Sequence, residues 1–246
     1  MCRLSAIAIL LCACGAQVDG GAPATPDVDG GGGGGRDTGV DTDPTPACFN
    51  GRVVYLNFDG VTLTKGTSDA TQNSASWMQI ATGTAPRYET NNANRDQKIT
   101  QITDGVTSLL SSFPITVVTT RPNAGPYVMI VFGGTAQQVG SRFGVGVQQL
   151  DCDDATSKSD LAWITDGQGV QRTVNTAVGA IGFGLGLTAT SDPNDCMCGW
   201  DNGCQPDNSQ PCTLSPAIAR DPAARQLCPG VSSQDEVATF TKAFCE

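Results

Sequence analysis

Residues Thr173 to Trp200 read TVNTAVGAIGFGLGLTATSDPNDCMCGW, and the fold depends on whether the glycine-rich half of this stretch is a helix. Gly179, Gly182, Gly184 and Gly186 each disfavour helix by about 0.8 to 1 kcal/mol relative to Ala, so propensity alone assigns Gly179 to Leu187 to a loop. A phosphate-cradling loop needs G-x-G-x-x-G or a Gly-Lys-Ser/Thr ending, and neither is present. The apolar run Ala177 to Ala189 is too short and too rich in glycine to cross a bilayer, which takes roughly 18 to 20 apolar residues. Downstream, Asp192-Pro193-Asn194-Asp195 is first of all a turn signal. Its two carboxylates are also candidate ligands for a hard cation.

Upstream, Gly51 to Thr62, with Val53, Val54, Tyr55, Leu56 and Phe58, reads as a strand ending in the turn Asp59-Gly60. The polar stretch from Gly66 to Arg95, anchored by Trp77 and Tyr88, reads as a long surface loop. From Asn94, a candidate cap, the apolar positions Ile99, Ile102, Val106, Leu109, Leu110 and Phe113 recur at three- and four-residue steps, the pattern of an amphipathic helix. Four strand-like segments follow: Ile115 to Thr120, Tyr127 to Phe132, Gly144 to Leu150 and Leu161 to Thr165. This order predicts an α/β or α+β fold with a mixed sheet.

The opening stretch resembles the zinc-binding segment of metzincin peptidases, H-E-x-x-H-x-x-G-x-x-H on a helix and following turn, then a Met-turn. With Gly186 in the glycine slot, Gly179 and Phe183 stand where the first two histidines would be. Ala180 replaces the catalytic Glu, and Ala189 replaces the third histidine. Gly182 and Gly186-Leu187 match residues usual in the matrixin branch, and Met197 follows Ala189 at that branch's spacing. The resemblance spans most of residues 49 to 200. It implies a helix through the glycines, a twisted mixed sheet with two main helices, and a cleft between sheet and helix. The zinc expected of the family has no ligands here, because a zinc hydrolase needs three protein ligands, an open position for water and a nearby base. The expectation is a catalytically inactive pseudo-metallopeptidase, without cofactor, that binds a peptide or protein in the remnant cleft.

Composition narrows the chemistry further. The 246 residues contain no histidine, which excludes Ser-His-Asp and Cys-His mechanisms. Formal net charge is -10, so nucleic acid is not an expected partner. Two alternatives to a pseudo-peptidase remain: a structural envelope lipoprotein, and a metallopeptidase whose ligands are Cys or Asp, for example a thiolate cluster built on Cys196-x-Cys198.

The start of the chain reads as an export signal: Arg3, the apolar run Leu4 to Leu11, then Leu11-Cys12-Ala13-Cys14. This resembles the lipobox of bacterial lipoproteins, which implies lipid on Cys14 and a place in the bacterial cell envelope. Gly15 after it favours the outer membrane. Residues 15–47, with glycines 30 to 35 and six Asp against the lone Arg36, read as a disordered tether between signal 1–14 and a single domain 48–246. Cys48, Cys152, Cys196, Cys198, Cys204, Cys212, Cys228 and Cys245 remain, an even number that in an oxidising compartment predicts disulfides without fixing their pairing. Five of them fall between 196 and 228, in a C-terminal part (196–246) where crosslinks are expected to stand in for a core.

Overall fold

The computed structural model describes residues 52–200, 203–228, 230 and 232–245. The export signal with Cys14, the 15–47 tether and Cys48 lie outside the described residues. What is described is one mixed α/β unit built on a five-stranded sheet.

Chain order begins with strand β1 (Val53–Asn57), then a small sheet of β2 (Val61–Lys65), β3 (Ser74–Ala75) and β4 (Thr82–Ala85). Helix α1 (Arg95–Leu109) leads to β5 (Thr116–Val118) and β6 (Tyr127–Phe132). A four-residue helix α2 (Ala136–Val139), β7 (Gly146–Val147) and β8 (Leu161–Ile164) follow, and then helix α3 (Val170–Gly184). The C-terminal part adds the pair β9 (Ile218–Ala219) and β10 (Ser233–Gln234), and helix α4 (Glu236–Cys245).

The main sheet runs β5-β1-β6-β8-β7. Its first four strands are parallel and β7 alone is antiparallel, paired as Gly146 with Ile164 and Val147 with Trp163. β6 lies at the centre and is buried at all six positions, which is why its sequence is a continuous apolar run instead of an alternating one. Odd and even residues face different layers. Val54, Leu56, Val128, Ile130, Ala162 and Ile164 pack against α1, α3 and α4. Tyr55, Tyr127, Met129, Val131, Leu161 and Trp163 pack beneath the small sheet.

The stretch from Gly66 to Arg95 is therefore not a surface loop. It carries two strands and supplies Ala70, Ala75, Trp77, Met78 and Ala85 to a second core, with the Trp77 indole N–H donating to the Leu161 carbonyl at 2.9 Å. Strands of two and four residues are too short to give a readable alternation, so its polar outer face dominated the sequence. The strand expected over Gly51 to Thr62 is divided at Asp59-Gly60, where Gly60 has φ 79°. Helix α1 begins at the residue after Asn94, though the Asn94 side chain makes no capping bond.

Helix α3 persists through Gly179 and Gly182 because burial outweighs propensity: every residue from Ala177 to Gly184 is buried. The glycines admit neighbours that a side chain would exclude. A Cβ at Gly182 would stand 2.8 Å from the Met197 sulfur, and on α1 a Cβ at Gly105 would stand 2.7 Å from Val174. The helix then ends in a Schellman turn: Leu187 N–H bonds the Gly182 carbonyl (3.0 Å), Gly186 N–H bonds the Phe183 carbonyl (3.2 Å), and Gly186 takes φ 90°.

Disulfides join Cys152 to Cys228, Cys196 to Cys212 and Cys198 to Cys204, and Cys245 is also disulfide-bonded. The C-terminal part does not rely on them alone. α4 inserts Phe240 and Phe244 into the core beneath the sheet, each contributing about 1.5 to 3 kcal/mol by burial.

Candidate functional site

Gly179 and Phe183 are one helical turn apart on α3, and the indole of Trp200 lies against both. Its ring centroid is 5.2 Å from that of Phe183, tilted by 31°. A Cβ built at Gly179 would collide with the Trp200 ring nitrogen and stand 2.5 Å from the Cys196 carbonyl oxygen. The space beside residue 179, where the resemblance would set a first histidine, is thus filled by a ring. Ala180 is fully buried. Ala189 lies past the Gly186 turn, also fully buried, its carbonyl accepting from the Asp221 N–H at 2.8 Å.

Met197 sits beneath α3 in a tight turn in which Cys198 N–H bonds the Asp195 carbonyl. Asp195 organises that turn: its Oδ1 accepts from Met197 N–H at 2.8 Å and from the Thr190 hydroxyl at 2.9 Å. Asp192 is exposed and caps its own turn through Asn194 N–H. The two carboxylates are committed to separate tasks and do not form the cation site that their spacing suggested. Cys196 and Cys198 enter different disulfides, so the thiolate cluster considered from the sequence has no thiolates. Among the described residues no group of three or more Cys, Asp or Glu is placed to hold a metal ion.

Asp195 has a second carboxyl as neighbour, Glu236 at the start of α4, and both are at most 1% exposed. Glu236 accepts from Ser215 N–H at 2.9 Å and from the Gln234 amide at 2.8 Å. Burial, and then the charge of Asp195, push its carboxyl up to about 8, and burial raises Asp195 as well. Among the described residues Asp195 Oδ2 has no hydrogen-bond partner, and two buried neighbouring acids disfavour each other's charge.

An open cleft of about 480 Å³ adjoins the filled slot. Its floor is Phe183 and Trp200, its wall is β7 continuing to Leu150, and Trp77, Phe143 and Leu227 rim it. β7 is the last strand of the sheet, with no strand on its outer edge among the described residues, and its Gly146 and Val147 line this cleft. Gln148, next after β7, is 5% exposed and lines the cleft, yet neither its Nε2 nor its Oε1 has a hydrogen-bond partner among the described residues.

No family model matches the chain, and no curated protein matches it. The site therefore stands on its own geometry. Of the positions singled out from the sequence, Gly179, Phe183 and Met197 pack around one end of α3. Trp200, Gln148, Phe143, Leu227 and Glu236 were not anticipated. Trp200 had one legible signal, a Gly-Trp three residues past Met197. Gln148 falls in the segment read as a strand and Glu236 opens α4, while Phe143 and Leu227 lie outside the helices and strands; none carried a sequence signal for the site.

Proposed function

We propose that this chain is a degenerate, matrixin-like member of the metzincin peptidases that captures an extended peptide without cleaving it. The observation that carries the reading is the cleft's apolar rim. Among the described residues only Ile80, Phe143 and Leu227 are exposed large hydrophobics, and Phe143 and Leu227 both border the cleft beside the unpaired edge of β7. A free strand edge supplies backbone donors and acceptors, and flanking apolar surface supplies pockets, which is how an added strand is recognised. The lost histidines, the buried Ala180 in the general-base slot and the indole over Gly179 support capture without hydrolysis. Lipidation at Cys14 would hold the domain on the bacterial envelope, at the outer membrane, on the 15–47 tether.

The test is to pass a degenerate peptide mixture over the immobilised full chain. Retention of uncleaved peptides, weakened by Phe143→Ser, is the expected result. Metal-dependent cleavage of casein would reinstate an enzyme. A purely structural envelope role is the second reading, favoured by the aromatic pair that fills the ligand slot. Absence of any retained peptide would support it.

A further inference from the structure

The charge on the cleft's lining has the opposite sign to the charge on the chain. Formal net charge is -10, yet among the described residues no Asp or Glu lines the cleft, and the charged side chain that does line it is Arg142. Arg142 is exposed and lies at the mouth beside Phe143, itself 49% exposed. Its guanidinium sits over the Phe143 ring, 5.9 Å from the centroid, and among the described residues it has no carboxylate partner. Contact with a ring face uses none of the N–H donors of a guanidinium, whose planar fork matches the two oxygens of a carboxylate.

The loop that presents this pair is fixed on both sides. Before it, the Gly140 carbonyl accepts from Gln79 N–H at 2.7 Å; after it, the Val145 carbonyl accepts from Thr165 N–H at 2.9 Å. Within it, the Ser141 hydroxyl accepts from Phe143 N–H and donates to the Phe143 carbonyl, both at 3.0 Å. The backbone of Arg142 is therefore set before a ligand arrives, which lowers the cost of ordering it on binding.

We propose that the cleft favours peptides bearing a carboxylate, from an Asp or Glu side chain or from a free C-terminus, which pairs with the Arg142 guanidinium. This rests on the reading of the cleft as a peptide site and names the charge it selects. An ammonium on the peptide meets a like charge at the rim, and no acid lines the cleft to receive it. A carboxamide is uncharged and offers one oxygen where a carboxylate offers two. The acidic chain as a whole repels anions, but at physiological ionic strength that field is screened beyond about 8 Å. At the rim the cation that lines the cleft decides.

The experiment is a positional scan of retained peptides on the purified full chain, followed by fluorescence anisotropy with two sets of twins. One set differs as Glu against Gln, or Asp against Asn, at the enriched position, and the other as free against amidated C-terminus. The carboxylate member of at least one set should bind more tightly by about two- to fivefold, the span of an exposed ion pair, and the advantage should shrink as sodium chloride is raised. Which set responds distinguishes a side-chain from a terminal carboxylate. Arg142→Glu, a change at an exposed position, should reverse the preference in that set. No preference for the carboxylate in either set, or a preference that survives Arg142→Glu, overturns this inference and leaves peptide capture standing. Retention of no peptide overturns both.

Discussion

The indole of Trp200 lies where any side chain on Gly179 would have to begin. A metal ligand at 179 and the present position of Trp200 are mutually exclusive, so introducing a histidine at 179 alone does not build a metal site.

Gly179→Ala should destabilise the fold by about 1 to 3 kcal/mol, the range for overpacking a tight core. Part of the loss should be recovered in Gly179→Ala/Trp200→Ala, because the second change removes one of the two groups that the methyl meets, the other being the Cys196 carbonyl. Urea unfolding of the two single variants and the double variant gives the coupling. Additive losses would place Trp200 elsewhere.

Stability should fall as pH rises from about 5 to 8. Glu236 ionises near 4.5 when unfolded and near 8 when folded, and Asp160 moves in the same direction. The folded chain therefore keeps protons that the unfolded chain releases, and stabilisation present below the unfolded values is lost as pH approaches the folded ones. In Glu236→Gln the side chain carries no charge to oppose that of Asp195 at any pH. The unfolding free energy of this variant from urea titration should match the parent at pH 5 and exceed it at pH 8, by on the order of 1 to 3 kcal/mol. Equal midpoints at both pH values would show that Glu236 is ionised in the folded chain.

The disulfides should differ in worth by the length of chain they close. Cys152–Cys228 spans 76 residues and Cys198–Cys204 spans 6. Loop-closure entropy gives about 4.5 and about 2 kcal/mol respectively. Paired Cys→Ala variants compared by urea unfolding should preserve that order. Loss of Cys198–Cys204 should in addition alter tryptophan fluorescence, because its loop carries Trp200.

Much of the fold was legible where a local signal was long enough. The six apolar residues of β6 and the three- and four-residue spacing of α1 each identify their element without help. The small sheet was not legible, since β3 and β4 bury only Ala75, Gly83 and Ala85 among polar neighbours, and the anchors Trp77 and Met78 fall outside both strands. Helix α3 shows the opposite failure: its glycines argue for a loop by propensity, and they are there because Trp200, Met197 and Gln148 approach the helix closely. α4 was hidden by its position among cysteines. At the site, Gly179, Phe183 and Met197 were singled out by the resemblance to the metzincin segment alone, and they pack around one end of α3. The pairing of Asp195 with Glu236, and the orphaned amide of Gln148, depend on contacts between distant segments that no spacing encodes.

The most direct test of peptide capture is amide hydrogen exchange of the full chain with and without a saturating extended peptide drawn from the retained pool. Capture along the sheet edge predicts slowed exchange concentrated in 143–150 and around Trp200, with the small sheet and α1 unchanged. Unchanged exchange at 143–150, or protection confined to another face, would contradict it.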